Sequence, residues 1–125
     1  MAHAETEVGE LNRRLYEHSE ALLKDSKDYA KLARKAVDAR NNYDVAKAKA
    51  RLIVRTDPAF SGWSVAEKDA QALLLCEAEM IEARVCEAHL ESQGKRLRAV
   101  EASLSAVQSQ ARLLSTESQL NNYRT

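Results

Sequence analysis

Counting in sevens from Val8 lands on Leu15, Leu22, Tyr29, Ala36, Tyr43 and Ala50, and all seven positions are apolar. Three residues beyond each lie Leu11, His18, Asp25, Leu32, Ala39, Ala46 and Ile53, of which five are apolar. A repeat sustained in this way is an a/d heptad seam, and it predicts one continuous amphipathic helix over about residues 5–55. At ~1.5 Å per residue that helix would be roughly 75 Å long. His18 and Asp25 interrupt the seam, so its first three turns are expected to pack less firmly, or against another subunit.

The pattern stops at RTDPAFSGWS. Asp57-Pro58 cannot continue a helix comfortably, and Ser61-Gly62 is turn chemistry, so residues 56–64 read as a loop. Ser64 followed by Glu67 has the spacing of a capping box, and a second helix is expected over about 65–92. Its seam runs Cys76, Ala83, Leu90, Leu97, Leu104 and Ala111, with Ala72, Cys86, Val100, Val107 and Leu114 as partners. Gln93 and Gly94 fall where this seam weakens. Glycine costs about 1 kcal/mol against alanine inside a helix, so a break is expected near residues 92–95. A third helix over about 95–120 would follow, folding back or extending to a neighbour, and the tail SQLNNYRT would fray.

A short connection makes two seamed helices antiparallel neighbours. The expected fold is therefore all-α. Residues 1–125 would form a single helical domain, a long antiparallel helical hairpin with a third helix after the break near Gly94. Leu15, Leu22, Tyr29, Tyr43, Leu97 and Leu104 would line its seam. Only 5 % of residues are aromatic, and alanine replaces bulk along much of the chain. Thin seams of this kind bury little surface, and a homo-oligomer is expected to supply the rest. Two cysteines do not make a disulfide framework, and a reducing cytoplasm is the default compartment. The start MAHAETEVGE is polar and acidic, unlike a signal peptide, and the longest apolar run, around residues 72–76, is far too short to span a bilayer. The expectation is a soluble cytoplasmic protein with no membrane partner.

Zero formal net charge conceals four blocks. Residues 1–23 sum to about −3, 24–55 to +6, 56–93 to −6 and 94–125 to +3. In an antiparallel hairpin the basic half of the first helix would lie beside the acidic start of the second. Its cations could then pair with Glu67, Asp69, Glu77, Glu79, Glu82 and Glu87, each exposed pair being worth about 0–1 kcal/mol. Heptad position separates the cases. Lys24 and Lys31 fall at c, Lys27, Arg34 and Arg55 at f, and Arg51 at b, all facing away from the partner. Lys47 at e and Lys49 at g flank the seam. An outward basic strip of these eight residues would suit a polyanion, because each phosphate neutralised releases counterions. The other reading of a lysine-rich outer face is a solubilising surface. Phe60 and Trp63 lie beside Arg55, either to stack on a base or to cap the end of the hairpin core.

No catalytic constellation stands out, and no enzyme activity or cofactor is expected. Cys86 and His89 have C-x-x-H spacing, but zinc needs two further ligands, and Cys76, His18 and His3 lie turns away or on another helix. Both cysteines read as small seam residues. There is no glycine-rich phosphate loop.

Lys49-Ala50-Arg51-Leu52 resembles the Lys-Ala-Arg-Leu stretch of the bacteriophage T4-type recombination mediators, the UvsY family. In that family the stretch also precedes a glycine-containing loop and a Glu-Lys pair, as Glu67-Lys68 follows here. The segment from Ser103 to Ser109 is similar to the family's Ala-Leu-x-Ala-Ile-x-Ser. The likeness in order covers roughly residues 20–115, with Ile53-Val54 standing where the family has an aromatic pair. The resemblance implies a phage-encoded, ring-forming homo-oligomer in the host cytoplasm. It would bind single-stranded DNA, contact a RecA-type recombinase and help it displace single-strand-binding protein. Carried over to this chain, the family's DNA contacts are Lys49 and Arg51. The alternative is a structural or regulatory coiled-coil protein, such as a phage scaffold, an assembly factor or an inhibitor of a host protein. Its heptads would be its function and its cations ordinary surface.

Overall fold

A computed structural model describes the backbone of residues 2–123 and the side chains of residues 6–122. The molecule is all-helical, with no strand among the described residues. Helix α1 spans Ala2–Thr56, a short 3-10 turn covers Pro58–Phe60, α2 spans Val65–Leu75 and α3 spans Glu77–Tyr123. α1 ends where the sequence demands it. The Asp57 amide still reaches the Ile53 carbonyl at 2.9 Å, but Pro58 has no N–H to offer. Asp57 then caps the 3-10 turn, its Oδ1 accepting from the Ala59 amide at 2.9 Å. Ser64 Oγ accepts from the Glu67 amide at 3.2 Å and starts α2 as the capping spacing indicates.

The expected break near Gly94 is not there. α3 runs through Gln93 and Gly94 without interruption, and the third helix begins instead at Glu77. The break falls at Cys76, whose φ of −115° and ψ of 21° leave the helical region. In a continuous helix the Cys76 amide would bond the Ala72 carbonyl. Here the buried thiol takes that carbonyl at 3.2 Å, and the amide turns to the Leu74 carbonyl. A side chain that back-bonds four residues earlier bends a helix in this way. The fraying expected from Ser118 onward is also absent up to Tyr123, while Arg124 and Thr125 lie outside the described residues.

The chain divides into two units, Met1–Tyr29 with Gln93–Thr125, and Ala30–Ser92. In the first, Leu11 and Val107 are buried, and Leu15, Leu22, Tyr29, Leu97 and Leu104 are half-buried. Asp25, read as an interruption, is the buried polar residue of this unit at 2 % exposure. Arg96 Nε donates to its Oδ2 at 3.3 Å, and Gln93 Nε2 donates to its carbonyl at 3.4 Å. A Cβ on Gly94 would stand 3.4 Å from Tyr29 Cε2. Gln93 and Gly94, taken as a weak point, are thus points of attachment to α1.

The second unit holds two clusters. Ala36 and Ala39 pack with Ala83 and Cys86, edged by Tyr43 and Leu90. Ala50 and Val54 pack with Ala72 and Cys76, edged by Tyr43, Ala46 and Phe60. Val54 is 2 % exposed and Ile53, expected on the seam, is 48 % exposed. A strict seven-residue count drifts ~20° per heptad against an α-helix of 3.6 residues per turn. By the last turn of α1 that drift has carried the position after d onto the seam.

Candidate nucleic-acid interface

A helix advances ~100° per residue, so two residues apart means nearly opposite sides. Lys49 and Arg51, which the sequence places together as one grip, therefore point away from each other across α1. The eight cations divide on the same count. Within the second unit, Lys31, Arg34 and Lys49 occupy one flank and the outer face, while Lys24 and Lys27 belong to the first unit. Lys47, Arg51 and Arg55 form a row at four-residue steps on the opposite flank. Seven of the eight are exposed and Lys47 is half-buried. None of them makes an ion pair among the described residues.

Two grooves open along the Lys47–Arg55 row, both within the second unit. One, of about 220 Å³, is lined by Arg51, Val54, Arg55, Val65, Lys68, Asp69 and Ala72. The other, of about 160 Å³, is lined by Arg40, Tyr43, Lys47, Met80, Ala83, Arg84 and Glu87. Each offers three cations against one carboxylate. Arg40 and Arg51 are about 16 Å apart along the axis at 1.5 Å per residue, so the pair of grooves spans several nucleotides of an extended strand. The Tyr43 ring lies 5.7 Å from the Arg40 guanidinium carbon and 5.7 Å from the Lys47 ammonium. Cation–π attraction of this kind steadies both side chains at the groove wall.

Arg40, Lys68 and Arg84 are absent from the cations singled out in the sequence. Arg40 was reachable, since it precedes Lys47 by one heptad and continues the Lys47–Arg55 row. Lys68 and Arg84 come from other helices, and only packing brings them to α1. The expected pairing between the basic and acidic stretches is sparse. Arg40 meets Glu87 at 3.6 Å and its own neighbour Asp44 at 3.6 Å, all three groups well exposed. Phe60 is half-buried against the Ala50–Cys76 cluster, and Trp63 meets it edge-on at 4.9 Å while remaining 38 % exposed.

No family model, curated protein or solved structure matches this chain. The likeness around Lys49–Leu52 thus rests on its short motifs alone.

Among the described residues, no three His, Cys, Asp or Glu side chains gather as a metal site would need. His3 lies outside the described side chains. Cys86 is buried, and burial together with the neighbouring Glu82 carboxylate, 3.6 Å from its sulfur, pushes its thiol pKa up. Such a thiol stays protonated near neutrality and is a poor nucleophile. No helix among the described residues is long and apolar enough to cross a membrane.

Proposed function

We propose that this chain is a non-enzymatic, single-stranded DNA-binding protein that acts as a recombination mediator. It would hold the strand along the Arg40–Arg55 flank, assist loading of a RecA-type recombinase and displace single-strand-binding protein. The observation that carries the binding step is the pair of grooves on one flank of α1, each with three cations and one acid. The mediator role is supported by the motif likeness at Lys49–Leu52 and Ser103–Ser109. The opposite running order of the paired clusters in the second unit supports the antiparallel hairpin that would present this flank. Several modest phosphate contacts per subunit, repeated in a homo-oligomer, would give avidity yet allow release to the recombinase. A phage-encoded protein of this kind would act in the host cytoplasm.

The test is binding of a labelled oligodeoxynucleotide, followed by fluorescence anisotropy at several salt concentrations. Affinity should fall steeply with salt, by ~0.7 log units per log unit of salt for each phosphate engaged. Lys47→Ala/Arg51→Ala/Arg55→Ala should flatten that slope by about 2 and weaken binding at least ~10-fold at low salt. Lys49→Ala, on the other flank, should change little. Salt-insensitive or undetectable binding by the unaltered protein would sink the proposal.

A second reading, a coiled-coil scaffold or assembly factor without nucleic-acid binding, is favoured by the apolar residues left outward. Val37, Val45, Leu52, Ile81 and Val85 are all exposed. On that reading the protein and its triple variant behave alike toward DNA.

A further inference from the structure

Both long helices carry a second apolar row that their own packing leaves unused. On α1, Val37, Val45 and Leu52 are 59 %, 54 % and 61 % exposed. With Ala48 they lie roughly 170° around the helix from Ala36, Ala39 and Ala50, at ~100° per residue. On α3, Ala78, Ile81, Val85 and Ala88 recur at heptad steps, roughly 150° around from the Ala83–Cys86 side. Ile81 and Val85 are 51 % and 42 % exposed, and Leu74, one turn ahead on α2, is 63 % exposed. An apolar row at coiled-coil spacing is what a helix shows to another helix.

The charge around the two rows is opposite in sign. Residues 34–55 carry seven cations and two acids, and residues 67–91 carry seven acids and two cations. Contact inside the chain leaves most of this charge unspent. Beyond the exposed Arg40–Glu87 pair, Arg34, Lys49, Arg51, Arg55 and Glu77 make no ion pair among the described residues. Pairing α1's outer row with its own copy would oppose cation to cation, and pairing α3's with its own copy would oppose acid to acid. Pairing one with the other joins complementary fields.

We propose that the outer row of α1 in one copy docks on the outer row of α2–α3 in a second copy. The contact is heterologous, using two different faces of the same unit, and it propagates until it closes on itself or is capped. It rests on the oligomeric part of the reading above and not on DNA binding.

The test uses two variants of the full chain, each altered on one face. Val45→Glu/Leu52→Glu disables the α1 face, and Ile81→Lys/Val85→Lys disables the α3 face. Mass is measured by sedimentation at tens of micromolar, with far-UV circular dichroism checking that helix content is kept. If a charged variant loses helix, the corresponding double serine variant replaces it. The unaltered protein should exceed monomer mass, each variant alone should be monomeric, and an equimolar mixture of the two should give a dimer, because each supplies the face the other lacks. A monomeric unaltered protein overturns the proposal. So does either variant keeping the full mass, or a mixture that stays monomeric. Oligodeoxynucleotide binding by the same samples is read separately, so loss of DNA binding with assembly intact would sink only the nucleic-acid reading.

Discussion

The hydrogen that Gly94 carries in place of a methyl faces Tyr29, and a Cβ there would reach ordinary contact distance from the ring, 3.4 Å. Read alone, a glycine in mid-helix looks like a hinge. Packed, it sits in an unbroken helix against a half-buried aromatic residue. Gly94→Ala should therefore gain helix propensity without a clash and raise stability by up to about 1 kcal/mol. Gly94→Leu should drive side-chain atoms into Tyr29 and lose about 1–3 kcal/mol. Urea unfolding of the two variants measures both, and a destabilised alanine variant would show that the contact has no room to give. Lys49 and Arg51 teach the same lesson for charge. Two residues apart in a motif, they are separated by the helix itself, and the row that lines the grooves runs through Lys47, Arg51 and Arg55.

Asp25 is where an element's register is fixed by polarity. A heptad seam of alanine and leucine slides easily, because one small apolar residue replaces another at little loss. A carboxylate with a 4 % exposed side chain fits only where Arg96 can reach it. Buried polar residues are known to specify register between helices at some expense of stability. Arg96→Ala should lower stability by about 1–3 kcal/mol, because the Asp25 carboxylate stays buried without its guanidinium. Adding Asp25→Leu should restore most of the loss. A double-mutant cycle by chemical denaturation gives the coupling, and a value near zero would reduce the pair to surface decoration. The interruption at Cys76 is likewise a packing event, made by a buried thiol competing for the Ala72 carbonyl.

Among the described residues, the buried apolar side chains of the two units are mostly small: five alanines, two cysteines, two valines and one leucine. Such a core releases little apolar surface from water per residue, and the outer rows leave further large apolar side chains exposed. Stability should then depend on association. The melting temperature should rise as protein concentration is raised a hundredfold, because assembly binds the folded state alone. A concentration-independent melt would show that the thin core suffices and that the outer rows have no partner of their own kind.

Residue order alone determined the helical class, the stop at Asp57-Pro58, the start after Ser64 and most of the seam. Each of these depends on local chemistry or on a periodicity that needs only neighbours in the chain. The seam was misread at Ile53 and Val54, since the drift of a seven-residue count against 3.6 residues per turn accumulates over length. Only the tertiary structure decided the rest. It buried Asp25 beside Arg96, kept α3 unbroken through Gly94 and broke the helix at Cys76. It also carried Lys68 and Arg84 to the grooves of α1. The reason is common to all of them: each depends on which group another helix presents at that height, and neither propensity nor spacing along one chain contains that distance.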